Sequence, residues 1–119
     1  MKKTPFEAAC KKIGISPDLL PGVEGLPEIT AKRIIAGYKL EIIEKATNGE
    51  WVPDFSNYSQ YKYTGWLQWS PSLGALVFRL TVCTVTSAYL GARFWFEDRN
   101  TAEKFTKDNI DLINDLHRL

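Results

Sequence analysis

Residues 62–84 constrain this chain more than any other stretch, because they read as two strands joined by a turn. Leu76, Phe78, Leu80 and Val82 interleave with Val77, Arg79, Thr81 and Cys83, the period of a half-buried strand. Pro71-Ser72-Leu73-Gly74 supplies the turn chemistry just before it, and the aromatic run 62–70 supplies the partner strand. A two-stranded hairpin alone is marginal in water. The remaining chain must therefore cover one of its faces.

The flanking segments supply strands and helices for that task. Residues 88–97 read as a third strand, so that 62–70, 75–84 and 88–97 form an antiparallel meander. Residues 5–13 predict a helix. Thr4 and Glu7 have capping-box spacing, Pro5 stands at the first helical position, and Gly14 is the stop. Phe6, Ala9, Cys10 and Ile13 form its apolar face. Residues 27–48 carry two apolar stripes, one through Ala31, Ile34, Ile35, Tyr38, Ile42 and Ala46, the other through Ala36, Leu40, Ile43 and Thr47. That wide arc predicts a central, largely buried helix. Residues 101–118 predict a last helix, capped by Asn100 with Glu103 in its first turn. The intervening loop 15–26 is broken by Pro and Gly, and its Leu and Val residues predict packing onto the body.

The resulting order is α-α-β-β-β-α. It predicts an α+β fold, a three-stranded antiparallel sheet with helices packed on one face. At 119 residues and 45% apolar composition, residues 1–119 suit a single domain.

Composition removes several chemistries. The single His falls in the last predicted turn of the last helix, where it favours the helix C-terminus electrostatically. Cys10 lies on an apolar stripe, and both Cys10 and Cys83 read as free thiols. There is no Cys-x-x-Cys, no His-x-x-x-His and no calcium-loop pattern, so no metal is expected. Gly22-Val23-Glu24-Gly25 lacks the Lys-Ser/Thr of a phosphate loop. Asp54, Glu97 and Asp98 are the only carboxylates placed for acid–base work, and none has a visible partner. No catalytic residue and no cofactor are expected. No apolar run approaches the ~18 residues of a membrane span, and the N-terminus lacks a signal-peptide apolar region. A soluble, cytoplasmic protein with no membrane partner is expected.

What stands out is aromatic. Residues 51–69 hold seven of the fifteen aromatics, which marks that region as the surface to examine. Alternation sends Lys62, Trp66 and Gln68 to one face of the first strand, with Arg79 on the second and Arg93 and Trp95 on the third. An open sheet face bearing Trp66, Trp95, Arg79, Arg93 and Lys62 suits a protein partner, since Trp, Tyr and Arg dominate contact energetics. Aromatics beside cations also suit stacked bases. The near-neutral balance, 15 basic against 14 acidic residues, disfavours a general polyanion binder but leaves a local patch open.

Three stretches resemble a group of small uncharacterised proteins of Bacteroides-type phages, prophages and mobile elements. They are Leu26-Pro27-Glu28 with Ile34-Ile35-Ala36-Gly37-Tyr38-Lys39-Leu40, then Trp51-Val52-Pro53-Asp54-Phe55-Ser56-Asn57 continuing through Gln60-Tyr61-Lys62-Tyr63 to Trp66, then Gly91-Ala92-Arg93-Phe94-Trp95-Phe96 with Ala102-Glu103 and Phe105. The middle stretch is similar to that group's Trp-x-Pro-Asp-aromatic pattern followed by Gln-x-Lys-aromatic. Residues 70–89 depart from the group, being apolar where it is richer in Gly, Ser and Tyr. The resemblance implies a mobile-element context and the cytoplasm of a bacterial host, and carries over no catalytic residues.

The expectation is therefore a non-enzymatic binding protein that contacts a protein partner, or a second copy of itself. The expected binding residues are Trp51, Asp54, Asn57, Gln60, Lys62, Trp66, Arg79, Arg93 and Trp95. Asp54 and Asn57 also suit turn hydrogen bonds. Two alternatives use the same face: single-stranded nucleic-acid binding, and a phage counter-defence protein capturing a small nucleotide in an aromatic- and Arg-lined pocket.

Overall fold

In the computed structural model, which describes residues 3–88 and 93–117, Thr4 opens α1 (Pro5–Ile13) with a reciprocal cap. Glu7 N donates to Thr4 Oγ1 at 3.1 Å, and Thr4 N donates to Glu7 Oε1 at 3.1 Å. Gly14 closes the helix at φ 80°, a conformation that costs glycine nothing. Phe6, Ala9 and Cys10 are buried as the spacing predicts, while Ile13 is exposed.

Helix α2 (Glu28–Asn48) buries Ala36, Gly37, Leu40, Ile42, Ile43 and Ala46. It begins one residue later than the sequence suggests, because Pro27 serves as the cap and its carbonyl accepts from Ala31 N. Helix α1 is tied to α2 by Lys12 Nζ, which donates to the Ala46 carbonyl at 2.6 Å. Phe6 also meets Tyr38 edge-on at 6.1 Å. Residues up to Thr47, together with those from Asn109 onward, make one unit. Within it α4 (Ile110–Leu116) buries Ile113. Leu19 and Leu20 of the loop are exposed rather than packed down, contrary to expectation.

The second unit, Asn48–Asp108, is built on the hairpin. Strands β1 (Lys62–Ser70) and β2 (Ala75–Thr84) pair antiparallel at the predicted positions. The ladder runs from Lys62↔Thr84 through Trp66↔Leu80, then shifts to Leu67↔Phe78. Arg79 is the extra residue of a β-bulge. Simple alternation misassigns the faces at this point, because a bulge places two residues opposite one. Tyr63, Gly65, Leu67 and Trp69 share one face with Cys83, Thr81, Phe78 and Leu76. Lys62, Thr64, Trp66 and Gln68 share the other with Val77, Leu80 and Val82.

Helix α3 (Arg99–Asp108) packs on the first of these faces and on both strands. Its buried residues, Ala102, Phe105 and Thr106, have i, i+3, i+4 spacing. The approach is close at Gly65. A Cβ there would overlap Thr106 Oγ1 and lie 3.0 Å from Thr106 Cγ2. Arg99 covers one end of the contact, with its guanidinium 5.3 Å over the Tyr63 ring and Nη1 donating to the Thr81 carbonyl at 3.0 Å. Lys107 covers the other, 5.2 Å over Phe78.

Three expectations need correction. Among the described residues the sheet has two strands, not three, and the order is α-α-β-β-α-α. Of the expected third strand, residues 89–92 lie outside the described residues. The part from Arg93 to Glu97 makes one antiparallel bridge, with Tyr63 and Phe96 exchanging N–H···O bonds of 2.9 and 2.8 Å. The Trp95 carbonyl, which points away from β1, accepts from Asn48 Nδ2 at 2.9 Å, and α3 begins at Arg99, soon after the bridge. The last helix is also two helices. Asn109, at φ −119° and ψ 23°, leaves helical geometry and separates α3 from α4. Asn competes for backbone hydrogen bonds and is a weak helix former. The N-terminal cap is Asp98 rather than Asn100, with Asp98 Oδ1 accepting from Thr101 N at 2.7 Å.

Candidate functional site

The loop from residue 51 to 61 has no regular structure, yet its backbone is heavily bonded. Asp54 Oδ1 accepts from Ser56 N at 3.0 Å and from Ser56 Oγ at 2.6 Å. These bonds favour the ionised form and hold the Asp54 carboxyl below its ordinary value. Asn57 Oδ1 accepts from Ser59 N at 2.9 Å, a second turn of the same kind. Gln60 spans the loop. Its Oε1 accepts from Asp54 N at 2.6 Å, and its Nε2 donates to the Val52 carbonyl at 2.9 Å. The polar residues thus bond inward on the loop, while Val52, Tyr58 and Tyr61 are exposed. Tyr58 is 78% accessible and Tyr61 60%.

The loop is anchored by Lys62, the first residue of β1, which is 0% exposed. Its Nζ donates to the Gln60 carbonyl at 2.9 Å and to the Val85 carbonyl at 2.6 Å. It also lies 5.2 Å over the Phe55 ring, and Phe55 packs edge-on against Trp95 at 5.6 Å. An ammonium is costly to bury unless hydrogen-bonded. Here two carbonyls and an aromatic face take the place of water.

The sheet face opposite α3 is the second exposed surface. Trp66 and Leu80 face each other across the ladder and are 49% and 43% exposed. Gln68 and Arg79 are exposed beside them, and Val77 and Val82 are half-buried.

The expected site residues therefore separate into groups. Trp66 is exposed on the open face, and Arg79, the bulge residue across the ladder from it, is exposed as well. Lys62 and Trp95 do not join them. Both are buried, Trp95 at 3% exposure, and both belong to the support beneath the loop. Asp54, Asn57 and Gln60 hold the loop's shape, and Trp51 is half-buried at its start, its N–H donating to the Asn48 carbonyl at 3.1 Å. Arg93 is exposed, with its guanidinium 5.4 Å over Phe94. Exposed side chains outside the expected set include Val52, Tyr58 and Tyr61 of the loop and Trp69 and Leu80 of the hairpin.

One signal for this surface was present in the sequence. From Phe55 through Phe96 there is no Asp or Glu. Every carboxylate lies outside that stretch. Of the carboxylates considered for acid–base work, Asp54 is committed to Ser56, and Asp98 to the cap of α3. A groove of about 270 Å³ does exist, but it is lined by α2 and α4, with Lys32, Ile35, Leu112 and Asp115 among its walls and no aromatic or Arg. Among the described residues no three His, Cys, Asp or Glu side chains gather as a metal site would require, and no helix is long and apolar enough to cross a membrane. No family model, curated protein or solved structure matches the chain.

Proposed function

We propose that this protein is a non-enzymatic binding module that contacts a protein partner through the loop from residue 51 to 61 and the open sheet face. One observation carries the reading. The loop's polar residues are spent on internal hydrogen bonds, while its tyrosines and Val52 stand in solvent. A loop already ordered loses less conformational entropy when it binds, and exposed Tyr and Trp are the side chains that dominate protein contacts. An association with phages or mobile elements belongs to the same proposal and is supported by the sequence resemblance alone.

The single-strand nucleic-acid reading is weakened by the position of Lys62. A basic-aromatic groove needs several cations on phosphates. Burial of Lys62 withdraws its ammonium from any such groove.

The test is site-specific photo-crosslinking in cells of the protein's native source. A photoreactive phenylalanine replaces Tyr58 or Trp66 in turn, and Lys11 on α1 as a control. Discrete protein adducts from positions 58 and 66, absent from position 11, are the expected result. Identical adducts from all three positions, or crosslinks to nucleic acid alone, would refute the reading.

A further inference from the structure

We propose that the sheet face opposite α3 docks a partner segment bearing a carboxylate flanked by apolar side chains. Arg79 holds the carboxylate, and Trp66 with Leu80 receives the apolar groups. The inference rests on the protein-contact reading above and adds the chemistry of the partner.

The bulge is the first ground. A regular ladder would set one residue of β2 opposite Trp66. The shift between Trp66 and Leu67 sets Arg79 and Leu80 there together. Both are exposed, and Trp66 across from them is half-exposed. Bulges re-aim side chains in this way, so an arginine stands in the middle of an apolar strip that includes Val77 and Val82.

Charge is the second ground. The hairpin and its approaches, from Phe55 through Phe96, contain three cations and no anion. Lys62 is buried with its ammonium on two carbonyls. Arg93 lies over Phe94. Arg79 has no carboxylate at salt-bridge distance among the described residues, and the ion pairs Lys104–Asp108 and Lys107–Glu103 both lie on α3. The strip thus offers one guanidinium between apolar groups and no counter-charge of its own.

These two grounds select the occupant. A second copy docked by the same strip would bring Arg79 against Arg79 and supply no carboxylate. A nucleic-acid strand would find one cation where phosphate binding needs several. A segment with one Asp or Glu between apolar residues meets both requirements, since a guanidinium matches a carboxylate through two parallel N–H···O bonds.

A display library of random twelve-residue peptides, selected on the immobilised full chain, tests this. Enriched peptides should share Asp or Glu flanked by apolar residues. Their affinity should fall at least tenfold in both Arg79→Gln and Trp66→Ala, with circular dichroism unchanged. Selection repeated on Arg79→Glu should return Lys or Arg at the acidic position. Purely apolar peptides, lost in Trp66→Ala but unaffected by Arg79→Gln, would overturn the carboxylate and leave the protein-contact reading standing. Absence of enrichment, or peptides indifferent to Trp66→Ala, would overturn both. A concentration-dependent dimer in sedimentation, dispersed by Trp66→Ala, would replace the acidic segment with a second copy.

Discussion

Replacing Lys62 by Met tests the support of the loop most directly. The substitution keeps the length of the side chain and removes the ammonium. It deletes two hydrogen bonds from a charged donor, to the carbonyls of Gln60 and Val85. Such bonds contribute ~1.5–3 kcal/mol each. It also deletes the contact with the Phe55 ring, worth roughly 0.5–2 kcal/mol. Against this, the variant no longer carries the several kcal/mol needed to desolvate an ammonium. Those terms largely offset one another. The balance is decided by the two part-buried carbonyls left without their donor, at ~1–2 kcal/mol each toward the lower end of the usual range. A net loss of about 2–4 kcal/mol follows. With a urea slope of about 1.5 kcal/mol per molar, the unfolding midpoint should drop by roughly 1.3–2.7 M. Hydrogen exchange gives the local readout, because the Asn57 and Gln60 amides, bonded within the loop, should exchange faster. A midpoint within about 0.3 M of the parent, with unchanged exchange, would show that the ammonium does not hold the loop.

Three further outcomes follow from the same geometry. Gly65→Ala should cost about 1–3 kcal/mol by overpacking against Thr106, and Thr106→Ala in the same chain should restore most of it, as a double-mutant cycle in urea would measure. Thr81→Val should be neutral or stabilising by up to about 1 kcal/mol, because the buried Thr81 Oγ1 has no hydrogen-bond partner and its removal orphans nothing. The lowered Asp54 carboxyl contributes to the loop's order above its unfolded value of 3.8, and that contribution is lost as pH falls through its still lower folded value. In an amide NMR titration, Ser56 should therefore shift below pH 3.8, and Asp54→Asn should remove the transition.

The local elements were legible because local rules decide them. Thr4, Pro5, Glu7 and Gly14 write the bounds of α1, and the interleaved residues of β2 write its span. What was not legible depended on neighbours distant in sequence. Nothing near Trp95 announces that its segment bridges β1 at Phe96 and soon turns into α3, so residues 88–97 looked like a third strand. The bulge at Arg79 involves no Gly and leaves no mark in composition, yet it reverses the alternation on one half of β2. Lys62 looked like a surface cation because lysine usually is one. Its burial follows from the carbonyl of Val85, which only folding brings to it. Asn109 was the one visible sign that the last helix would divide.

The side-chain amide of Gln60 does in the loop what a neighbouring strand's peptide group does in a sheet, offering an acceptor to Asp54 N and a donor to the Val52 carbonyl. The loop therefore carries its own template, and the side chains of Val52, Tyr58 and Tyr61 make none of these bonds. Val52, Tyr58 and Tyr61 are free to mutate under selection while Asp54, Asn57 and Gln60 keep the shape constant. Such a separation lets a lineage change the surface it displays by altering side chains alone, with the backbone that presents them inherited unchanged.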